Sequence, residues 1–365
     1  MKKIFTVLTS IALTFALSFS AAFANDDALM KSQNYLKTIT LDSPDAVIAY
    51  EATGMEADYK ADALLNNFKE TDYVTASYGD LAKSIIAISL LGENPKDFNK
   101  TNLVEILENR VQEDGTLTND VNGGCGATIW TLMALETVNS PKVKAVADKL
   151  STMAMDNGAY WYEYQGPNAD LDTTGWAMEA LSVAGRSTYK AAISKAYTFV
   201  QSKLNSTDGY YDNWGGNADT QSCVLEGLSV AGYTLDTNAY NYLLSYQNED
   251  GTFNALNYST GQLEPNAYAS VEGARALGVI NNGSFVLKAR QDYTKTTTPV
   301  VTEPETPTKP STTTPAVKPE TTTTEPKKET VKVVNTGDNT NVMAYVVAAI
   351  AAVGVIVLVI KSKKK

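Results

Sequence analysis

The chain has 365 residues, a formal net charge of -11, no histidine and two cysteines. That acidity excludes a role on nucleic acid, whose phosphates need a basic face. The lack of histidine removes the commonest general base, the Ser-His and Cys-His nucleophile pairs and every His-ligated metal site, so neither a metal nor a resident cofactor is expected.

Residues 1–24 begin with Lys2 and Lys3, continue through an apolar run from Ile4 to Phe19 and end on Ala22 and Ala24. This is the pattern of a secretory signal peptide, and it predicts an exported protein.

Residues 25–293 carry helical periodicity throughout and no strand-like alternation of any length. Trp176, Ala177, Ala180, Leu181 and Ala184, and Val224, Leu225, Leu228 and Ala231, each form one broad apolar helix face. Five such runs end at Leu91-Gly92, Thr137-Val138, Ala184-Gly185, Ala231-Gly232 and Leu277-Gly278, and a sixth, Ala46 to Gly54, precedes them. Even spacing of this size is a repeat architecture in which each unit needs its neighbours to cover an apolar face. Asp114-Gly115, Asn157-Gly158, Asp208-Gly209 and Asp250-Gly251 supply turns between helices. Asn168-Ala169-Asp170, Asn217-Ala218-Asp219 and Asn266-Ala267-Tyr268 supply helix entries. The expected fold is all-α, with about six helical hairpins closed into a ring; an open superhelix is the alternative.

Within this pattern, Gln247 to Phe253 resembles the Gln-x-x-x-Gly-x-aromatic repeat of squalene cyclases and protein prenyltransferase β-subunits. With Asp172 to Leu181 and Asp219 to Cys223, the chain resembles the prenyltransferase and squalene-cyclase-like α/α toroid superfamily over roughly residues 27 to 290. The resemblance implies that the second helix of each hairpin lines the ring and that its entry loops surround one mouth. It leaves chemistry open, since such toroids host unrelated activities.

Candidate chemistry is sparse. Asp170-Leu171-Asp172-Thr173 resembles the acid motif of class II terpene cyclases, with Asp172 at the position of the proton donor. The plainer reading makes Asp172 the cap of a helix starting at Thr173. Asp170 or Asp172 with Asp219 is the carboxylate pair a glycan-cleaving enzyme would need. Cys125 lies in a Gly-Cys-Gly loop, and Thr128 stands where a thioester glutamine would be. Cys223 aligns with Trp176 and reads as small core packing. Tyrosine and tryptophan cluster ahead of two inner helices. Trp161, Tyr162 and Tyr164, Tyr211 and Trp214, and Tyr268 form the predicted aromatic mouth of a ligand site.

Residues 294–334 are rich in Thr, Pro, Glu and Lys and predict an extended stalk. In 335–341, Thr336-Gly337 completes a degenerate form, Val333-Val334-Asn335-Thr336-Gly337, of the sorting signal cut by sortases of Gram-positive bacteria. Residues 342–360 carry no charge and suit a transmembrane helix; 361–365 form a basic cytoplasmic tail. The whole predicts a surface-displayed, non-catalytic binding or adhesive domain, tethered to membrane or wall. Its expected partners are an extracellular small molecule, a glycan or a host or matrix protein, and an amphipathic cofactor such as a corrinoid is one candidate ligand. The alternative is a carboxylate-only enzyme, terpene-cyclase-like or glycan-cleaving, built on Asp172.

Overall fold

The computed structural model describes residues 26–56, 62–120, 123–162, 166–211 and 217–298. These all belong to the first of two compact units, Met1–Val301 and Thr302–Lys365. The expected signal peptide, sorting sequence with Thr336 and Gly337, and membrane span lie outside the described residues, as do Tyr164 and Trp214. Among the described residues, no helix is long and apolar enough to cross a membrane.

The chain is mostly helical. Six pairs follow one another: α1 (Asp26–Leu36) and α2 (Pro44–Ala52), α3 (Asp62–Glu70) and α4 (Tyr78–Leu90), α5 (Leu103–Glu108) and α6 (Gly126–Thr137), α7 (Val143–Met153) and α8 (Leu171–Gly185), α9 (Lys190–Ser202) and α10 (Ala218–Ala231), α11 (Thr237–Ser245) and α12 (Ala267–Asn282). A thirteenth helix, α13 (Phe285–Thr297), follows. Two short hairpins interrupt the pattern, β1 (Leu204–Asn205) with β2 (Gly209–Tyr210), and β3 (Phe253–Asn257) with β4 (Gln262–Asn266). These two short pairs are the exceptions in a mostly helical chain. Neither face of β3–β4 is uniformly apolar, so it carries no strand-like alternation: Phe253 is buried, whereas Leu256 and Leu263 are exposed.

The even-numbered helices pack in order, α2 on α4, α4 on α6, α6 on α8, α8 on α10, α10 on α12, and α12 on α2 again. Their apolar character explains the arrangement. In α6 every residue from Gly126 to Thr137 is buried, and α4, α8, α10 and α12 are buried over most of their length, as helices covered on several sides must be. Odd-numbered helices carry one apolar stripe, as in α7 with Val146, Ala147 and Leu150, and lie on the even ones.

Side-chain caps fix where five of the six even helices start; α6, entered at Cys125, has none. Ser43, Ser77, Asp170, Asn217 and Asn266 each accept a backbone N–H of the first turn. The cap of α8 is therefore Asp170, and Asp172 sits two residues inside the helix; the reading of Asp172 as a cap is corrected. The regular Asn-Ala spacing misplaces the first entry, because α8 uses Asp170 rather than Asn168.

The first and last hairpins meet in both layers. Gln247 donates from Nε2 to the Ala28 carbonyl at 2.9 Å and to Ser32 at 3.0 Å. Gly251 (φ +86°) approaches α1 so closely that a Cβ there would lie 2.0 Å from the Lys31 carbonyl oxygen. Asn282 donates to the Ala52 carbonyl at 2.9 Å. Gly278 does not end a helix as its Leu-Gly pair suggests: α12 continues to Asn282, and Gly278 lets α12 approach the Ala52–Thr53 backbone of α2.

Helix α13 packs on α2, α4 and α6. Its polar contacts with them fall at their C-terminal ends, where Lys288 meets Glu51 at 2.6 Å, Arg290 pairs with Glu136, and Thr296 donates to the Gly92 carbonyl at 3.0 Å. Since α13 runs to Thr297, the expected stalk boundary at 294 falls inside a helix.

Candidate functional site

A cavity of about 1100 Å³ opens at the opposite end, among the N-terminal turns of α4, α6, α8 and α12. Its lining includes Tyr78, Lys83, Trp130, Asp172, Trp176 and Tyr268, with loop residues Val74 to Ser77 and Thr118 to Asp120 as one wall.

Helical spacing places these side chains. In α8, α10 and α12 the second residues are Asp172, Asp219 and Tyr268; the sixth are Trp176, Cys223 and Glu272; the ninth are Glu179, Glu226 and Arg275. Steps of four and then three residues keep each set on one helix face. Of these nine residues, Asp172, Trp176 and Tyr268 line the cavity, and those of α10 and the ninth residues of all three helices lie outside its lining.

At mid-depth, Trp130 and Trp176 meet with ring centroids 5.8 Å apart. Lys83 lies over one Trp130 ring at 4.6 Å while pairing with Asp45 at 2.9 Å, and Phe285 of α13 stacks on Trp130 at 6.3 Å. Trp130 is thereby fixed, and Lys83 is already committed. Arg110 is committed too, donating to the carbonyls of Tyr73, Val74 and Ala76 at 2.6 to 2.8 Å. Tyr78 donates to the Thr118 carbonyl at 2.5 Å and so ties the wall to α4.

The base is ionic and dry. The Arg275 Nε–H reaches both Glu226 oxygens, at 3.1 and 3.0 Å, and its guanidinium lies 3.7 Å from Glu272. All three side chains are almost fully buried. Glu179 accepts from Ser284 at 3.0 Å, and burial, then the neighbouring Glu226, push its carboxyl well above the usual range. Burial holds Glu272 at about 7 and Asp219 at about 6, with Arg275 opposing both. Burial and the nearby Asp170 raise Asp172 well above an ordinary aspartate, although Thr220 hydrogen-bonds it. Asp172 Oδ1 has no hydrogen-bond partner and is shielded from solvent, while the residue as a whole still reaches the cavity.

The structure brings Tyr162, Asp170, Asp172 and Tyr268 to one cavity. Asp170 is occupied as a cap, accepting from Thr173 N at 2.8 Å and from the Thr173 hydroxyl. Asp219 lies behind the lining; Trp161 is half-buried against the core, and Tyr211 is exposed on the surface. Tyr160 and Tyr210, from the same aromatic runs, are completely buried. Lys83, Trp130, Trp176 and Tyr78 were not among the predicted site residues. The signal that finds them is position: each falls in the first two turns of a ring helix, on the face that Asp172 defines. Among the described residues, no group of three or more Cys, Asp or Glu is placed to hold a metal ion. Cys125 and Cys223 are buried, unbridged thiols.

No family model matches the chain, and no curated protein does. A crystal structure of a protein from Actinoplanes is similar, with 13% identity over 70% of this chain and 90% of that one and a TM-score of 0.45, too low to support a claim about fold or function.

Proposed function

We propose that the chain is an α/α toroid of the prenyltransferase and squalene-cyclase-like kind, displayed on a cell surface, which holds a small amphipathic molecule in the cavity at the N-terminal ends of its ring helices. The observation that carries this reading is the 1100 Å³ cavity itself, with Trp176, Tyr162 and Tyr268 on its walls and α13 across the other end of the ring. Its size falls at or just above the range of small-molecule sites, and aromatic walls interleaved with Asp80, Asn119, Asp120 and Asp172 suit a ligand that carries polar groups as well as apolar area. The ring order α2 to α12 and back to α2 supports the toroid. Surface display rests on residues 1–24 and 333–360 of the sequence. A corrinoid is one ligand of suitable character.

Native mass spectrometry of the full chain purified from its producing cells tests the reading. The expected result is a bound small molecule that is lost on Tyr268→Ala together with Trp176→Ala. Recovery of the unliganded chain alone, from cells and after incubation with a corrinoid and a panel of neutral oligosaccharides, would count against it.

A carboxylate enzyme is the second reading, favoured by one observation, the raised Asp172 carboxyl on the cavity wall. A protonated acid at that place is what general acid catalysis requires. Asp172→Asn would then abolish turnover while leaving binding intact.

A further inference from the structure

On α8, Asp172 and Trp176 stand one helical turn apart, and both border the cavity. The Asp172 Oδ1 finds no hydrogen-bond partner, and neither does the Trp176 Nε1–H. One can accept and the other donates, so a single wall leaves a need of each kind unmet. Buried polar groups in that condition cost stability, and an incoming group that meets them removes the cost. The carboxyl of an aspartate turns on a soft torsion, which brings either oxygen of Asp172 toward the cavity.

Charge selects neither an anion nor a cation. Asp80, Asp120, Asp170 and Asp172 border the cavity, against Lys83 and Arg110. The N-terminal ends of α4, α6, α8 and α12 surround the same space, and each is equivalent to about half a positive charge, which offsets the excess of acid. Both bases are already occupied, Lys83 by Asp45 and Arg110 by three wall carbonyls, so an anionic group gains no new partner.

Shape and polarity narrow the choice further. Flat rings from Tyr162, Trp176 and Tyr268 share the lining with Asn109, Thr118 and Asn119. A wholly apolar molecule would cover those polar groups without pairing them. A molecule with apolar C–H faces and a rim of hydroxyls meets both kinds of surface, since each hydroxyl donates to a carboxylate or carbonyl and accepts from an N–H.

On the reading of this cavity as a ligand site, we propose that its ligand is a neutral oligosaccharide, with hydroxyls meeting Asp172 and the Trp176 N–H and ring faces against Trp176, Tyr162 and Tyr268.

Calorimetric titration of the full chain with maltotetraose, cellotetraose, mannotetraose and chitotetraose tests it. The tetramers of glucosamine and of galacturonate serve as cationic and anionic counterparts, and 1-aminoanthracene as a neutral apolar one. At least one neutral tetramer is expected to saturate the chain, at least tenfold more tightly than either charged tetramer. Asp172→Ala and Trp176→Phe are each expected to weaken it at least fivefold; the phenylalanine keeps an aromatic ring and removes the N–H. A charged tetramer that binds as tightly as the best neutral one, or full binding by both variants, would overturn the proposal. If no tetramer binds while 1-aminoanthracene does, and that binding is lost on Trp176→Ala with Tyr268→Ala, the oligosaccharide is refuted and the ligand-holding cavity stands. If nothing binds, both are refuted.

Discussion

Two aspartates two residues apart divide the work at the start of α8. Asp170 satisfies the amide of Thr173, whereas Asp172 sits in the first turn with its carboxyl raised by burial. Asp170→Ala is expected to cost about 1 to 2 kcal/mol of stability, the usual worth of an N-cap, while Asp172→Asn, an isosteric change at a residue that caps nothing, costs less than about 0.5 kcal/mol. Urea denaturation of the two variants checks the assignment, and the reverse order would restore Asp172 as the cap. At the base of the ring, Arg275→Met leaves Glu226 buried without the guanidinium that neutralises it. A loss of about 3 to 5 kcal/mol is expected by the same measurement. The motif Asp-Leu-Asp-Thr was legible in the sequence, but which acid faces the cavity was not, because the two differ only by the phase at which the helix begins.

Helix ends and turns were mostly legible. The Asp-Gly and Asn-Gly turns at Gly115, Gly158, Gly209 and Gly251 all take positive φ, and α4, α6, α8 and α10 stop within a residue or two of their predicted ends. Helix α12 departs because a glycine can serve a close approach as well as a turn, and Gly278 serves the former. The β3–β4 pair escaped for a different reason: its outward leucines mimic neither an amphipathic strand nor a helix stripe. Closure of the outer layer brings Gly251 against the Lys31 backbone, beside the Gln247 bonds to Ala28 and Ser32. Gly251→Ala adds left-handed strain to a clash with backbone, and a loss of about 3 kcal/mol or more is expected in thermal or chemical unfolding. A variant as stable as the parent would mean that α1 is not held against this turn.

At the scale of the whole molecule, two buried acids give the stability a pH dependence of definite sign. Asp219 at about 6 and Glu272 at about 7 lie above the values near 4 that the unfolded chain would show. Between those limits the folded state binds more protons than the unfolded one, so stability is greatest below about pH 4 to 5 on their account and falls as pH rises through 6 and 7. The melting temperature is expected to be higher at pH 5 than at pH 8, with Asp219→Asn and Glu272→Gln together flattening the difference; a parent protein that gains stability over that range would refute the assignment. The acidic, histidine-free composition could be read directly, yet the cavity could not, since its lining needs the phase of α4, α6, α8 and α12 at once. Trp130 and Trp176 both line it, where they report on its occupancy. The decisive measurement is a tryptophan-fluorescence titration of the full chain with the small molecule recovered from it or, failing recovery, with a corrinoid and neutral oligosaccharides. A saturable change that Trp176→Phe and Tyr268→Ala each weaken at least fivefold is expected; a response that none of the ligands produces, or that both variants retain in full, would contradict a ligand-holding ring.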